Sequence, residues 1–233
     1  MTFPQAVAIP APDGTILRGL RWAGHADLVL LLHDARDNAD LEDWHALVPF
    51  LLSQDVTVLA VDLRGHGASE GDWTPEHAPS DISAMVGYAR SEGAGCILVV
   101  ADGASGTAAL KAADVSPVDG IALLSTTLEE REAAPRGAGV AKLLISGVSD
   151  LTYKSALDRI RAASIGWALA VNLPTDQQGV ALFDGPWAAQ AREHIIAFLR
   201  ERRYLSGGER TGVGRLPETF LDQIGLRVTG GEP

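Results

Sequence analysis

One short run of this chain places polar side chains where a strand could turn sharply into a helix. Ala101-Asp102-Gly103-Ala104-Ser105-Gly106 follows the apolar residues 97–100 and precedes a helix with Ala109, Leu110 and Ala113 on its buried face. A carboxylate or hydroxyl at such a turn, here Asp102 or Ser105, becomes a nucleophile only with a base in hydrogen-bond reach. Of the six histidines, His33 ends an apolar run beside Asp34, and His66 lies in the glycine-rich loop Asp62-Leu-Arg-Gly-His-Gly-Ala-Ser69. His194 falls inside the last helix, one position before the apolar stripe residue Ile195, a packing or solvated place. His25, His45 and His77 fall on loop or helix surfaces without a partner pattern. No His/Asp/Glu cluster has metal-ligand spacing, and no G-x-G-x-x-G follows a strand. Neither a metal nor any other cofactor is expected.

The run LVLLLHD at residues 28–34, followed by the Asp62–Ser69 loop, resembles the α/β-hydrolase superfamily, in particular its cap-less, esterase- and lipase-like members. The resemblance spans about residues 7–203. It implies that the segment around His33-Asp34, where the family has His-Gly, supplies part of an oxyanion hole. It also implies a strand-to-helix turn of the pattern small-x-Ser-x-small-Gly. With Ala101, Ser105 and Gly106 as the small residues, Gly103 stands at the nucleophile position and has no side chain to attack anything. The acid position falls on Asp150, at the end of Ile-Ser-Gly-Val-Ser-Asp. An equally open reading makes Asp150 the cap of a helix over residues 153–163. The histidine position, in the loop of residues 174–183, falls on Gln178, which takes no proton from a hydroxyl near neutral pH.

The expected function is therefore that of a pseudo-hydrolase, which has lost Ser-His-Asp hydrolysis and binds a ligand or partner. The alternative is an active esterase-type enzyme in a rearranged site. Shifting the turn by two residues makes Ser105 its nucleophile, in the first turn of the helix. Shifting by one makes it Asp102, faintly as in haloalkane dehalogenases. A shallow pocket ringed by His33, Asp34, Asp102, Ala104 and Ser125, near Asp150 and Gln178, would accept a small apolar or ester-like ligand.

These residues need a scaffold, and the pattern of the chain supplies one. Apolar runs at residues 28–33, 56–62, 97–101, 120–125, 141–147 and 166–172 alternate with helix-period segments, as in a parallel sheet with crossover helices. Residues 6–10 and 16–22 flank Asp13-Gly14 as an antiparallel hairpin. This predicts an α/β fold with an eight-stranded, mostly parallel sheet and helices on both faces. Residues 1–205 form the domain, and no cap is inserted at 126–139. Residues 206–233 read as a glycine-rich linker and C-terminal segment. Within it, Leu216, Phe220, Leu221 and Ile224 give residues 216–227 a helical face that could bury on the domain, on a homodimer mate or on a protein partner. With 233 residues, 46% of them hydrophobic and 21% charged, the chain can bury a full core. A formal net charge of −11 opposes binding to nucleic acid or anionic membrane. The lone Cys96 excludes an internal disulfide framework, and the first twelve residues lack a signal-peptide pattern, so the cytoplasm is the expected location.

Overall fold

The computed structural model describes residues 3–137, 139–149 and 151–211. Each apolar run becomes a strand. The strands are β1 (Gln5–Pro10), β2 (Ile16–Trp22), β3 (Leu28–Leu32), β4 (Thr57–Val61), β5 (Ile97–Asp102), β6 (Gly120–Leu124), β7 (Lys142–Gly147) and β8 (Ala168–Leu173). They form one sheet in the order β1-β2-β4-β3-β5-β6-β7-β8. β3 to β7 are buried on both faces, and the edge strand β8 is half-buried. β2 runs antiparallel to both β1 and β4, and every other pairing is parallel.

Side chains alternate between two cores along each strand, which explains why the runs are apolar throughout. Leu28, Leu30 and Leu32 of β3 point into a core closed by Ile82 and Met85 of α2 (Ala78–Ser91), Leu110 of α3 (Ala104–Ala113) and Leu157 and Ile160 of α4 (Leu151–Ala163). Val29 and Leu31 point the other way. They meet Leu51 of α1 (Val48–Leu52), and Ile195, Phe198 and Leu199 of α5 (Ala188–Thr211) close that second core. Two helices depart from expectation. The stripe over residues 41–52 is broken into a 3-10 helix, Leu41–Ala46, and α1, with Pro49 in the first turn of α1. A proline suits a helix start and cannot donate within one continuous helix. In addition, α5 runs on to Thr211, past the start of the expected linker at Ser206. Near its end Arg203 donates to Asp27 at 2.7 Å and the Ser206 hydroxyl to Asp119 at 2.6 Å, tying it to loops at the amino edge of the sheet. The expected 216–227 helix lies outside the described residues.

β3 sits between β4 and β5; the crossover from β3 to β4 carries α1 on one face and that from β4 to β5 carries α2 on the other, the place where an open α/β sheet forms a crevice at its carboxyl edge. The β3–β5 register pairs Leu32 with Ala101. Two residues further along each chain, Asp34 therefore faces Gly103.

Candidate functional site

Gly103 is the sharp turn. Its φ of 55° and ψ of −126° lie in a region that costs an ordinary L-residue about 1–3 kcal/mol. Its N–H donates to Leu124 of the neighbouring strand at 3.0 Å, fixing the turn on the sheet edge. Immediately after it, α3 begins, and the free N–H of Ala104 points back over the turn. That N–H and the N–H of Ala35 converge on one atom: each donates to Oδ1 of Asp34 at 2.8 Å. An ideal Cβ built on Gly103 would overlap the same carboxylate. The Asp34 side chain thus occupies both the space a side chain at Gly103 would take and the space between the two backbone donors.

His33 is fully buried and does not line the crevice expected to hold it. Its Nε2 accepts the Leu63 N–H at 2.9 Å, so Nδ1 carries the proton and donates to the Asp34 carbonyl at 2.7 Å. Burial lowers its pKa, in keeping with this neutral tautomer. The ring therefore joins the loops after β3 and β4. The second loop is held by Asp62, which accepts from Leu41 and Ala68, and by Arg64, which forms a bidentate pair with buried Asp81 and also reaches Asp13 and Thr15.

Neither rearranged nucleophile is presented for attack. Ser105 has no exposed surface, and its hydroxyl lies 2.8 Å from the Asp102 carbonyl and 3.0 Å from that of Leu32. It is a packing residue whose hydroxyl is bonded to backbone carbonyls. Asp102 is 5% exposed and turned beneath the loop after β8, where its Oδ2 accepts the Val180 N–H at 3.1 Å. Gly179 lies so close that a Cβ there would overlap the Asp102 carboxylate, and its φ of +54° independently favours glycine. Burial, reinforced by the charge of Asp34, raises the pKa of Asp102 to about 7. Ser125, in left-handed backbone geometry at φ 40°, accepts the Gly179 N–H at 2.9 Å and holds the same loop.

A cavity of about 410 Å³ opens at this carboxyl edge, with Asp34, Asp102, Gly103, Ser125, Gln178 and Tyr153 among its walls. Arg36 and Asp176 add charge to it. Ala104 instead lines a smaller hollow beside Trp73 and Lys111, of about 160 Å³. Asp150 lies outside the described residues. Gln178 precedes the short 3-10 helix Gly179–Phe183 and borders the cavity. Sequence reasoning placed Asp34 near the site but missed its role as occupant, and it missed Arg36, Tyr153 and Asp176 entirely. For Asp34 a signal existed, because a carboxylate stands where the resembled family has glycine, two residues past a strand that neighbours the glycine turn. Among the described residues no group of three or more His, Cys, Asp or Glu could hold a metal ion.

The sequence matches the alpha/beta hydrolase family over residues 29–225. The chain belongs to that family. No curated protein matches it. Among solved structures this α/β hydrolase is similar to the esterase Pf2001 of Pyrococcus furiosus, with a TM-score of 0.71 and 18% identity over 86% of this chain and 90% of the other. It is also similar to Est1E of Butyrivibrio proteoclasticus with ferulic acid bound, with a TM-score of 0.69 and 16% identity over 85% and 99%. Mouse alpha/beta hydrolase domain-containing protein 10 gives a TM-score of 0.69 and 13% identity over 84% and 99%. At these identities the likeness shows the fold. No helix among the described residues is long and apolar enough to cross a membrane.

Proposed function

We propose that this α/β hydrolase does not carry out Ser-His-Asp hydrolysis and acts by binding a small ligand in the crevice at the carboxyl edge of its sheet. The observation that carries this reading is the Asp34 carboxylate, bonded to the N–H groups of Ala35 and Ala104 and filling the space above Gly103. An oxyanion hole stabilises charge that develops when a nucleophile attacks. Here the donors already hold the Asp34 side chain, and Gly103 has no side chain to attack with. The alternative, an active enzyme using Ser105 or Asp102, is disfavoured by the burial of the first and by the orientation of the second beneath Gly179. The carboxylates of Asp34 and Asp176 also favour a ligand that donates hydrogen bonds over an apolar or ester-like one.

The purified protein should show no hydrolysis of activated short-chain esters above background and no labelling by a fluorophosphonate. Gly103→Ser with Gln178→His should remain inactive, because the new Cβ and the Asp34 carboxylate claim the same space. Adding Asp34→Gly frees the turn and both donors. Detectable esterase activity in the triple variant, absent from the double, is the expected result, since triad members act as a unit. Wild-type turnover abolished by Ser105→Ala or Asp102→Asn would overturn the proposal.

A further inference from the structure

Among the described residues the sheet ends at β1 on one side and β8 on the other. Exposed sheet edges are usually blunted by charge, proline or a bulge. β8 reads Ala-Leu-Ala-Val-Asn-Leu, with no charge and no proline, and it pairs with β7 in unbroken register. The Trp167 carbonyl accepts from Lys142 at 2.9 Å and the Leu173 carbonyl from Val148 at 2.8 Å. Successive residues turn their backbone groups to opposite sides, so 167, 169, 171 and 173 face β7 while Ala168, Ala170 and Asn172 direct theirs outward.

The side chains form a second pattern. Leu169, Val171 and Leu173 pack on the α5 face, and Trp167 stacks on Phe198 of α5 at 5.8 Å between ring centres. Leu169 and Val171 remain half-buried, and Trp167 is 39% exposed. Beyond the two ends of the strand, Ile165 and Val148 are also exposed.

We propose that β8 pairs antiparallel with β8 of a second copy of this chain, about a two-fold axis at Ala170, joining the two sheets into one. This register uses the outward backbone groups: Ala170 bonds Ala170 of the second copy, and Ala168 bonds Asn172. The alternating positions, where side chains of an antiparallel pair approach most closely, then match Leu169 with Val171 and Trp167 with Leu173. A two-fold contact needs a surface complementary to itself; the half-buried Leu169 and Val171 supply it at the centre, with the exposed Trp167 at each end and Leu173 buried within its own copy. The same rotation brings the Val148 end of one copy towards the Ile165 end of the other. Moving the axis to Asn172 would set Pro174, which has no N–H, opposite Ala170. Moving it to Ala168 would leave Val171 and Leu173 beyond the partner strand.

The full chain should sediment as a dimer at micromolar concentration. Ala170→Lys sets two like charges against each other at the axis and should weaken association roughly 100-fold while leaving the far-UV circular dichroism unchanged. Cysteine cross-linking under mild oxidation provides a second test, against a quiet background because Cys96 is buried and burial pushes its thiol up to about 12. Leu169→Cys chains mixed with Val171→Cys chains should form a disulfide between the two kinds, and neither kind with itself. A monomeric wild type, including one whose own segment beyond Thr211 covers the edge, overturns the proposal. So does a dimer that survives Ala170→Lys, or Leu169→Cys chains that cross-link to themselves.

Discussion

Asp102 makes the stability of this protein depend on pH in a direction opposite to that of most carboxylates. Burial and the charge of Asp34 raise its pKa to about 7 in the folded state, against about 3.9 in an unfolded chain. Between those values the folded state binds the extra proton. Its contribution to stability is complete below the unfolded value and is lost as the pH rises through about 7. Over the whole interval this amounts to about 4 kcal/mol. From about pH 5.5, safely above the isoelectric point near 4.9, to about pH 8.5 the loss is about 2 kcal/mol. Asp102→Asn removes the titration and keeps an oxygen to accept the Val180 N–H. Urea unfolding of wild type and variant across that range isolates the effect, since all other groups titrate in both. The variant should gain on the wild type by about 2 kcal/mol, nearly all of it below about pH 7.5. In an Asp34→Asn background the gain should shrink, because a neighbouring charge that raises the pKa is gone. A constant difference between variant and wild type at every pH would refute the reasoning.

Three further perturbations test the frame around the site. Gly103→Ala should cost about 3 kcal/mol in the wild type, combining backbone strain with expulsion of Asp34 from its donors, and clearly less in an Asp34→Ala background; additive costs in a double-mutant cycle would argue against the shared space. Arg64→Ala leaves the Asp81 carboxylate buried without its bidentate partner and should cost about 3–5 kcal/mol in urea unfolding, with a loss under about 1 kcal/mol counting against it. Lys142 is fully buried, its ammonium bonded to the carbonyls of Val140 and Ile165, and burial lowers its pKa. The wild type should therefore gain stability as the pH rises towards about 10, while Lys142→Met should not, and should match or exceed the wild type near neutrality.

The scaffold was legible because the evidence for it is repeated. Six runs such as residues 28–33 and 97–101 carry the same signature of a strand buried on both faces, and Asp13-Gly14 marks the one hairpin. The site was legible only at its turn. Gly103 could be placed because a strand, a tight turn and a helix follow one another within ten residues. The role of Asp34 could not, since it depends on the register of β3 against β5, which pairs residues about seventy positions apart in the chain. His33 misled for a related reason: a histidine at the end of a strand looks poised for a crevice, but its ring nitrogens are used up by Leu63 and Asp34 within the loops. The end of α5 was misjudged because Gly207 and Gly208 suggest a linker, whereas contacts of Arg203 and Ser206 with distant loops hold the helix just before them.

On the proposed reading, the residues at this site depend on one another in a fixed order. An aspartate at position 34 fits beside the turn only because residue 103 has no Cβ. Once seated, the aspartate satisfies the N–H groups of Ala35 and Ala104. Hydrogen bonds to a charged acceptor contribute about 1.5–3 kcal/mol each, so seating Asp34 between these donors stabilises the fold. That stabilisation opposes a side chain at the turn. A serine introduced at 103 must first expel a carboxylate held by two donors, and a histidine introduced at 178 gains nothing while no hydroxyl awaits it. Each substitution alone is costly or neutral, so the proposed reading requires Asp34→Gly first in any attempt to build a triad here.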